Sequence, residues 1–245
     1  MNKFPQQNVI VSLSIIRYKK RFIPFALLAM AVHRLPLLIT KGCTFRKLLG
    51  SGKNGEFTLQ PDLQQWALLT VWKTQDDCDR FYRTSFIARW WHFFGCELWT
   101  ITCEPLSSHG QWNGKNPFAT DKQKSSYEGP VVVLTRATIR LSKVKSFWKH
   151  VADVAKMMAE APGYITSFSI GEAPLFLQAT FSIWQDADSM KTFAYQSQQH
   201  SQVIRKTREE NWYSEELFAR FIPIKTDGTI KGKDPLKSRK LKVES

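Results

Sequence analysis

The sequence has few cysteines, and none of them is arranged as metal sites or disulfide frameworks require. Its 245 residues contain four, namely Cys43, Cys78, Cys96 and Cys103, all in the first half of the chain. No two of them form a CxxC pair, and closely paired cysteines are what such frameworks depend on. We therefore expect reduced, buried thiols in a cytoplasmic protein, with neither a zinc site nor a disulfide framework.

The sequence also lacks an apolar run that looks long enough to span a bilayer. The segment Phe22 to Val32 follows several basic residues and contains Ala29-Met30-Ala31, which is typical of a signal-peptide core. The preceding segment, Val9 to Tyr18, has the pattern of a β-strand, and this strand recurs in the second half. The eleven residues of the apolar segment are too few to cross a bilayer. We expect a folded helix rather than a cleaved leader or a membrane span.

Acidic residues are scarce relative to basic ones, at 21 against 35, which gives a formal net charge of +14. Such an excess invites nucleic-acid binding. Part of it lies in a C-terminal tail, where seven basic and three acidic residues follow position 224, and such tails are usually solvated. The chain also lacks the Gly-Phe/Tyr-rich strand motif of RNA-binding domains. Nucleic acid is therefore not the expected partner, whereas an acidic redox protein or an anionic membrane surface is attracted to the same charge.

What the sequence does contain is an internal repeat. Strand-like runs at Asn8 to Arg17 and Pro130 to Arg140 both end in Ile-Arg, and an aromatic residue, Phe25 or Trp148, follows eight positions later. Each aromatic residue lies in an apolar stretch with helical periodicity. The two halves of the chain therefore begin alike.

Two tighter matches support the repeat. In each half a Trp ends an apolar strand and is followed by acidic residues, which provide helix N-caps, and nine positions later by a Phe on the buried helix face. These residues are Trp72 and Phe81 in the first half and Trp184 and Phe193 in the second. Each half closes with the pattern GxxxGK(N/D)P, at Gly110 to Pro117 and Gly228 to Pro235. Ordered matches at similar offsets indicate a duplicated unit.

Each repeat has the order strand, helix, strand, strand, helix, strand, with final strands near Glu97 to Glu104 and Leu217 to Ile224. This is the ferredoxin-like βαββαβ order. Helices cover one face of each antiparallel sheet, and the other face still needs cover. We therefore predict an α+β fold in which two tandem ferredoxin-like units pair their bare faces as a pseudo-dimeric α+β barrel. The predicted limits are 1–117 for the first unit, 118–128 for a linker, 129–225 for the second unit and 226–245 for a basic tail.

A series of sequence blocks that covers most of the chain bears on function. The blocks are Lys47 to Gly52, Gly129 to Arg140, Ile170 to Pro174, Thr180 to Trp184, and His200 followed by Ile204-Arg205 and Asn211 to Phe221. In this order they resemble the spheroidene monooxygenase family of carotenoid-oxidising enzymes. The resemblance implies the α+β barrel shared with chlorite dismutases and aldoxime dehydratases, haem b as cofactor and a ferredoxin-like electron donor. It also implies that dioxygen oxidises an unactivated carbon of a long apolar polyene.

The haem that the resemblance implies needs a ligand to its iron, and the five histidines are the first candidates. His200 matches a histidine of the family pattern and is the expected ligand, although its glutamine-rich surroundings are also typical of a solvent-facing residue. His92 occupies a comparable position in the first unit, but its aromatic neighbours are more typical of core packing. We expect His33 at a helix end or on the surface, His109 in a turn and His150 on a polar helix face. A thiolate ligand would need a cysteine in the second unit, which has none.

The propionates of such a haem need cationic or backbone donors. Alternation along Val131 to Arg140 places Arg136 and Arg140 on one strand face, and Arg136 is also the candidate catalytic residue. A charge in mid-strand either pairs with a carboxylate such as Glu172 or faces the pocket, and both alternatives stay open. Gly171 and Glu172 correspond to Gly50-Ser51-Gly52 of the first unit. Small residues there allow close approach to a ligand, and they are equally common in ordinary turns.

Taken together, the residues and the resemblance favour a haem-dependent monooxygenase whose apolar, carotenoid-like substrate lies between the paired sheets. One alternative is dehydratase- or peroxidase-like chemistry on the same haem scaffold. Another is a non-enzymatic basic module that binds a ligand or RNA. The sequence leaves open whether the protein contacts the inner membrane face peripherally and whether it forms a homo-oligomer.

Overall fold

The computed structural model describes residues 9–53, 58, 60–120, 127–173, 175–196, 205–237, 239 and 241. The first unit consists of β1 (Ile10–Tyr18), α1 (Ile23–Val32), α2 (Arg34–Ile39), β2 (Cys43–Gly52), β3 (Pro61–Trp72), α3 (Gln75–Thr84), α4 (Phe86–Phe94) and β4 (Gly95–Gly110). The second consists of β5 (Val131–Ile139), α5 (Val144–Glu160), β6 (Tyr164–Ala173), β7 (Leu177–Trp184), α6 (Ala187–Lys191) with a π-helical turn (Thr192–Gln196), and β8 (Tyr213–Gly228). Residues 205–209 are helical and precede β8.

The eight strands form one closed barrel in the order β1-β3-β2-β6-β7-β5-β8-β4. Within each unit this is the antiparallel ferredoxin-like order. The units join at two seams. At one seam β2 meets β6, where Gly50 pairs with Gly171, and at the other a long ladder between β4 and β8 extends from Trp99 to Gly110. The predicted α+β barrel of two ferredoxin-like units is confirmed, and its final strands are longer than predicted.

The closing turns of the two units have the same geometry. Gly114 and Gly232 have φ angles of 72° and 74°, a left-handed conformation that glycine adopts without strain. The N–H of Gly114 donates to Glu215 and that of Gly232 donates to Glu97, each at 2.7 Å. Each glutamate belongs to the final strand of the opposite unit. The duplication seen in the sequence therefore corresponds to a pair of equivalent turn-to-strand hydrogen bonds across the β4–β8 seam.

Apolar side chains that point inward from all eight strands fill the barrel interior. They include Leu13, Leu69, Ile101, Leu134 and Phe181, all of which are buried. An eight-stranded barrel is just wide enough for its own side chains to fill. Because these side chains occupy the space, the expectation that a substrate lies between the paired sheets is wrong.

The helices of the first unit cover the outer face of its sheet. The outward-facing Ser12 and Ser14 of β1 are fully buried and hydrogen-bond to Thr70 and Thr100 at 2.7 and 2.8 Å. Tyr82 of α3 contacts both serines with its hydroxyl at 2.9 and 2.8 Å. Apolar side chains from the helices and the sheet surround this network in one continuous cluster. This face is therefore closed by the protein's own side chains.

The helical run from Lys20 to Ile39 is longer than the eleven-residue segment that the sequence indicated. Its 20 residues are long and apolar enough, by length and composition alone, to cross a bilayer. In the structure Ala26, Ala29 and Leu37 are buried, but only 22% of the most apolar window is. The run therefore packs on the protein through a few side chains and exposes most of its residues.

Candidate functional site

Counting only the described part of the chain, the outer face of the second sheet is covered less completely than that of the first. Helix α5 packs onto it through two separate clusters of side chains. Phe147, near the start of α5, packs with Trp212, and Met158, near its end, packs with Trp184. Among the described residues, these two clusters are not joined by a continuous core as in the first unit.

Between the two clusters, the outer face of the second sheet carries half-buried apolar and hydroxyl-bearing side chains. Thr135 of β5 lies beside Thr180 of β7 and Phe218 of β8. These three residues are half-buried, as are Val154 and Ala155 of α5. Val154 shares the inward stripe of the helix with the two anchoring residues of α5, because it lies between them at helical spacing from each. These five residues define what is termed the open face below.

Cationic and polar groups border the open face. Arg220, which pairs with Val133 in the sheet, donates from Nε to Ser107 Oγ at 3.0 Å. His109 stacks on Phe218, with ring centroids 5.1 Å apart. His109 belongs to β4, so its prediction as a turn residue is wrong, and its polar neighbours gave no strand signal. Arg140 is exposed at the end of β5. Sequence reasoning missed Arg220 and His109 at this face, because the barrel seam brings β4 beside β8.

The predicted ligand His200 lies outside the described residues, within the segment 197–204. The chain on either side of that segment is described. Before it, Phe193 packs in the cluster of Trp184. After it, the Lys206 Nζ lies 3.4 Å from His150 Nε2, and the His150 ring lies 5.5 Å from that of Trp212. The described chain therefore stops near one of the two clusters that border the open face and resumes near the other.

Two of the remaining histidines can be compared with expectation. His33 stands at the C-terminal end of α1, which is the first of its two predicted alternatives, and it is buried. It lines a cavity with room for about one water molecule, together with Tyr18 and Trp91, and burial lowers its pKa to about 4. His92 is exposed rather than packed in the core. Among the described residues, no three His, Cys, Asp or Glu side chains are grouped to hold a metal ion.

Arg136 lies on the interior side of β5, opposite to the side of Thr135. It is only 2% exposed, its Nη1 donates to the carboxylate of Glu215, and its Nη2 lies 4.0 Å from Glu172. Its guanidinium also stands over the Trp112 ring at 5.4 Å. Of the two alternatives that the sequence left open, the structure shows pairing with carboxylates, with Glu215 as the nearer partner.

Glu172 extends this charged cluster across the β2–β6 seam. It accepts hydrogen bonds from Lys47 Nζ at 2.5 Å and from Trp112 Nε1 at 2.6 Å. Lys47 belongs to β2, and Trp112 belongs to the closing turn of the first unit. Both donors are thus in the first unit and the acceptor is in the second. The cluster joins the two units at one end of the barrel.

The carboxylate of Glu215 is stabilised in its charged form. Burial alone would raise the pKa of Glu215, but the N–H groups of Gly114 and Asn113 and the guanidinium of Arg136 outweigh burial and lower that pKa. Hydrogen bonds from donors and a nearby positive charge both favour an ionised carboxylate. Glu215 therefore stays charged at neutral pH and neutralises the buried arginine.

Gly171 stands in β6 opposite Gly50. A Cβ on Gly171 would lie 2.6 Å from the carbonyl oxygen of Leu177, whereas a Cβ on Gly50 would meet nothing closer than 3.7 Å. The close approach of the β7 backbone therefore accounts for the absence of a side chain at position 171. The cofactor-binding roles of Gly171 and of its neighbour Glu172 stay predictions.

Comparison with protein families and curated proteins gives consistent matches. Residues 131–221 match a family model described as a domain of unknown function, DUF3291. A protein of Rhodobacter capsulatus named spheroidene monooxygenase is 36% identical over 238 residues, which cover 96% of this chain and 99% of that protein. The protein of the same name from Cereibacter sphaeroides is 35% identical over 230 residues, which cover 92% of this chain and 70% of that protein.

Solved structures of aldoxime dehydratases share the fold. One of them, in complex with butyraldoxime, matches with a TM-score of 0.54 and 14% identity, over 89% of this chain and 80% of that chain. A second matches with a TM-score of 0.55 and 11% identity, over 89% of this chain and 82% of that chain. At such identities the likeness shows the fold and not the reaction.

Proposed function

Because this chain belongs to the spheroidene monooxygenase family and is an oxidoreductase of the monooxygenase type, we propose that it binds haem b on the open face of its second unit. There it oxidises a long, apolar, carotenoid-like polyene with dioxygen and electrons from an external carrier. A binding module without catalysis is set aside by the family.

The observation that carries the proposal is the difference between the two outer sheet faces. In the first unit, Tyr82 and Trp72 occupy the space between the helices and the sheet and hydrogen-bond to Ser12. In the second unit, Thr135 and Phe218 of the outer sheet face stay half-buried. Ligand sites are concave, largely apolar and edged by a few polar groups. Among the described residues, the open face is apolar and edged by polar groups in this way, whereas the cavity on the outer side of the first unit has room for about one water molecule.

The position of His200 along the chain supports its assignment as the iron ligand. The segment 197–204 connects the Trp184 cluster to the neighbourhood of Trp212, and these two clusters border the open face. Haem iron takes imidazole as a protein ligand in many haem proteins. No cysteine occurs in the second unit to offer a thiolate instead. His200 is therefore the iron ligand in this proposal.

The described residues fit a haem by their chemistry. When bound, haem supplies dioxygen activation at its iron, provided that electrons are delivered. Phe218 and Val154 offer apolar surface that excludes water from the site. The exposed Arg140 and the half-buried Arg220 offer cations to carboxylates such as the propionates. The protein thus binds and orients, and the cofactor carries the oxidation.

The positions of Arg136 and Glu172 bear on the catalytic and cofactor-binding roles predicted for them. Arg136 and Glu172 belong to the charged cluster that joins the two units at one end of the barrel. Arg136 lies on the opposite side of β5 from Thr135. The catalytic role of Arg136 stays a prediction. Because Arg136 faces the barrel interior, it influences the site in this proposal by positioning strand β5.

The substrate and partners follow from the family and from the charge. The relatives are named for spheroidene, which supports a carotenoid-type substrate. The net charge of +14 supports an acidic, ferredoxin-like electron donor, because opposite charge steers association. The reaction takes place in the cytoplasm in this proposal, in keeping with four free cysteines. Nucleic acid is not a partner, and homo-oligomerisation stays a prediction.

The proposal is tested by supplying haem-loaded protein with a carotenoid-type polyene, a ferredoxin with its reductase, and isotopically labelled dioxygen. We expect labelled, oxidised polyene, and no product when either the dioxygen or the electron donor is withheld. A dehydratase-type reaction needs no net supply of electrons. Turnover that continues without reductant, or product without label, would contradict the monooxygenase assignment.

A further inference from the structure

Helices α1, α2 and α4 of the first unit present a large apolar surface to solvent. Its side chains, termed the apolar face, are between 38% and 86% exposed and comprise Phe25, Leu27, Leu28, Leu35, Leu38, Ile39, Phe86 and Phe93. Single exposed apolar residues are ordinary, but contiguous groups of large ones mark interaction sites. The apolar face is thus a candidate contact surface that the oxidation chemistry does not use.

In helix α1 the small apolar side chains are buried and the large ones are exposed, which is the reverse of an ordinary surface helix. Helix α1 buries Ala26 and Ala29 and exposes Leu27 and Leu28. A surface helix of a globular protein normally turns its large apolar residues inward and its polar residues outward. Since α1 has no charged residue at all, its outer side is adapted to an apolar environment rather than to water.

Ring contacts join the three helices into one surface. Phe25 of α1 stacks on Phe94 of α4 with centroids 4.5 Å apart, and Phe93 meets Phe94 at 4.8 Å. His33, between α1 and α2, meets the ring of Phe86 at 6.2 Å. The exposed side chains of α4 therefore continue the surface of α1 and α2.

Basic residues surround the apolar face. Lys19, Lys20 and Arg21 are exposed before α1, Arg34 is exposed at the start of α2, and Arg89 is exposed in α4. The first 55 residues of the chain contain no Asp or Glu, and α4 contains none either. The helices that carry the apolar face, with the residues just before α1, therefore bear basic side chains and no acidic ones.

We propose that the apolar face inserts into the interfacial layer of an anionic lipid bilayer, with the basic residues at its edge bound to lipid headgroups. A helical surface rich in Leu and Phe and edged by Lys and Arg binds in this way, with its apolar side chains roughly 5–10 Å deep. Each basic residue near the surface adds attraction to anionic lipids. The protein then lies on the membrane and does not cross it, because Tyr18, Ala29 and Leu37 pack in the core of the first unit.

The charges favour a bilayer over a second copy of the chain. A symmetric dimer through this face would place the basic edge of one copy against the basic edge of the other. Like charges brought together across an interface are repulsive. An anionic bilayer instead supplies both the apolar layer and the opposite charge.

Membrane binding does not depend on haem. It extends the proposed function only with respect to the substrate. A long apolar polyene dissolves in lipid and not in water. A protein resting on the bilayer would thus be held beside its substrate. Membrane binding and haem binding can be tested separately, because vesicle binding needs no cofactor and haem binding needs no vesicle.

Vesicle co-sedimentation of the full chain tests the proposal. The wild type is expected to bind vesicles of mixed phosphatidylglycerol and phosphatidylcholine more tightly than phosphatidylcholine alone. Leu38→Ser with Ile39→Ser is expected to lower the affinity about tenfold or more. The matched control, Leu141→Ser with Leu175→Ser, changes exposed apolar residues of the second unit and is expected to bind as the wild type does.

The charge is tested in the same assay. Lys19→Gln, Lys20→Gln and Arg21→Gln together are expected to lower the affinity for anionic vesicles on the order of 100-fold at low salt. Its control removes three exposed lysines of α5, by Lys145→Gln, Lys149→Gln and Lys156→Gln, and leaves binding within a few fold. Absence of wild-type binding, or binding that both serine pairs leave unchanged, would overturn the proposal. So would a dimer in vesicle-free solution that Leu38→Ser with Ile39→Ser dissociates, because a second copy would then cover the face.

Discussion

Arg136 and Glu215 form an ion pair on the interior side of neighbouring strands β5 and β8. The arginine is 2% exposed, so carboxylates rather than water neutralise its charge. Glu215 also accepts the N–H of Gly114 at 2.7 Å, in the closing turn of the first unit. One carboxylate therefore compensates a buried charge of the second unit and fastens a turn of the first.

The first prediction concerns this pair. Glu215→Gln leaves the buried Arg136 with only Glu172, at 4.0 Å, and we expect the free energy of unfolding to fall by about 2–4 kcal/mol. Glu216→Gln makes the same change at the adjacent, exposed position and should stay within about 0.5 kcal/mol of the wild type. Urea denaturation measures both. Equal losses in the two variants would show that the pair is not what stabilises this end of the barrel.

The second prediction compares two glycines across the β2–β6 seam. Gly171→Ala places a Cβ 2.6 Å from the Leu177 carbonyl oxygen, and we expect it to destabilise the fold by about 1–3 kcal/mol. Gly50→Ala meets nothing closer than 3.7 Å and should cost under about 1 kcal/mol. Thermal unfolding without haem is the measurement. If Gly171→Ala unfolds like the wild type and only impairs haem binding, the glycine serves the cofactor and not the strand.

Burial of His33 gives a prediction about pH. Its pKa is lowered from 6.5 to about 4 by desolvation, so between these values the unfolded chain binds a proton that the folded protein does not. Stability from this group is present above pH 6.5 and is lost as the pH falls toward 4, by on the order of 2–3 kcal/mol. His33→Leu should flatten the curve of unfolding free energy against pH in this window. His92→Leu, at an exposed position, should leave the curve unchanged, and a curve that keeps its slope in His33→Leu would refute the prediction.

The fourth prediction concerns the room under α5. Ala155→Trp directs a large ring from the half-buried side of the helix toward the open face, and we expect haem uptake to fall about tenfold or more. Ala152→Trp adds the same ring at an exposed position of α5 and should leave uptake unchanged. Haem titration followed by absorbance measures both, with circular dichroism to show that each variant is folded. Unchanged uptake in Ala155→Trp would place the cofactor elsewhere.

The repeat and the barrel could be predicted because they depend on local patterns. The turns that end at Pro117 and Pro235 carry the same glycine spacing, and the left-handed φ angles of Gly114 and Gly232 require it. The full length of β4 could not be predicted. Its last residues, from Ser107 to Gly110, are polar, and they are extended because closure of the barrel pairs them with β8.

The details of the site depended on contacts distant in sequence. Glu215 lies 79 positions from Arg136, so no local pattern could name it as the partner in place of Glu172. His33 was expected at a helix end or on the surface, and its position at the end of α1 did not indicate that it is buried. Only the structure shows that small residues form the inner side of α1 and let this histidine be buried.

The most direct measurement is the haem absorption spectrum of the purified protein and two histidine variants. We predict a Soret band after haem is supplied to the wild type, its loss in His200→Ala while the protein remains folded, and its retention in His92→Ala. A Soret band of wild-type position and intensity in His200→Ala, or no haem uptake by the wild type, would contradict a haem bound through the second unit.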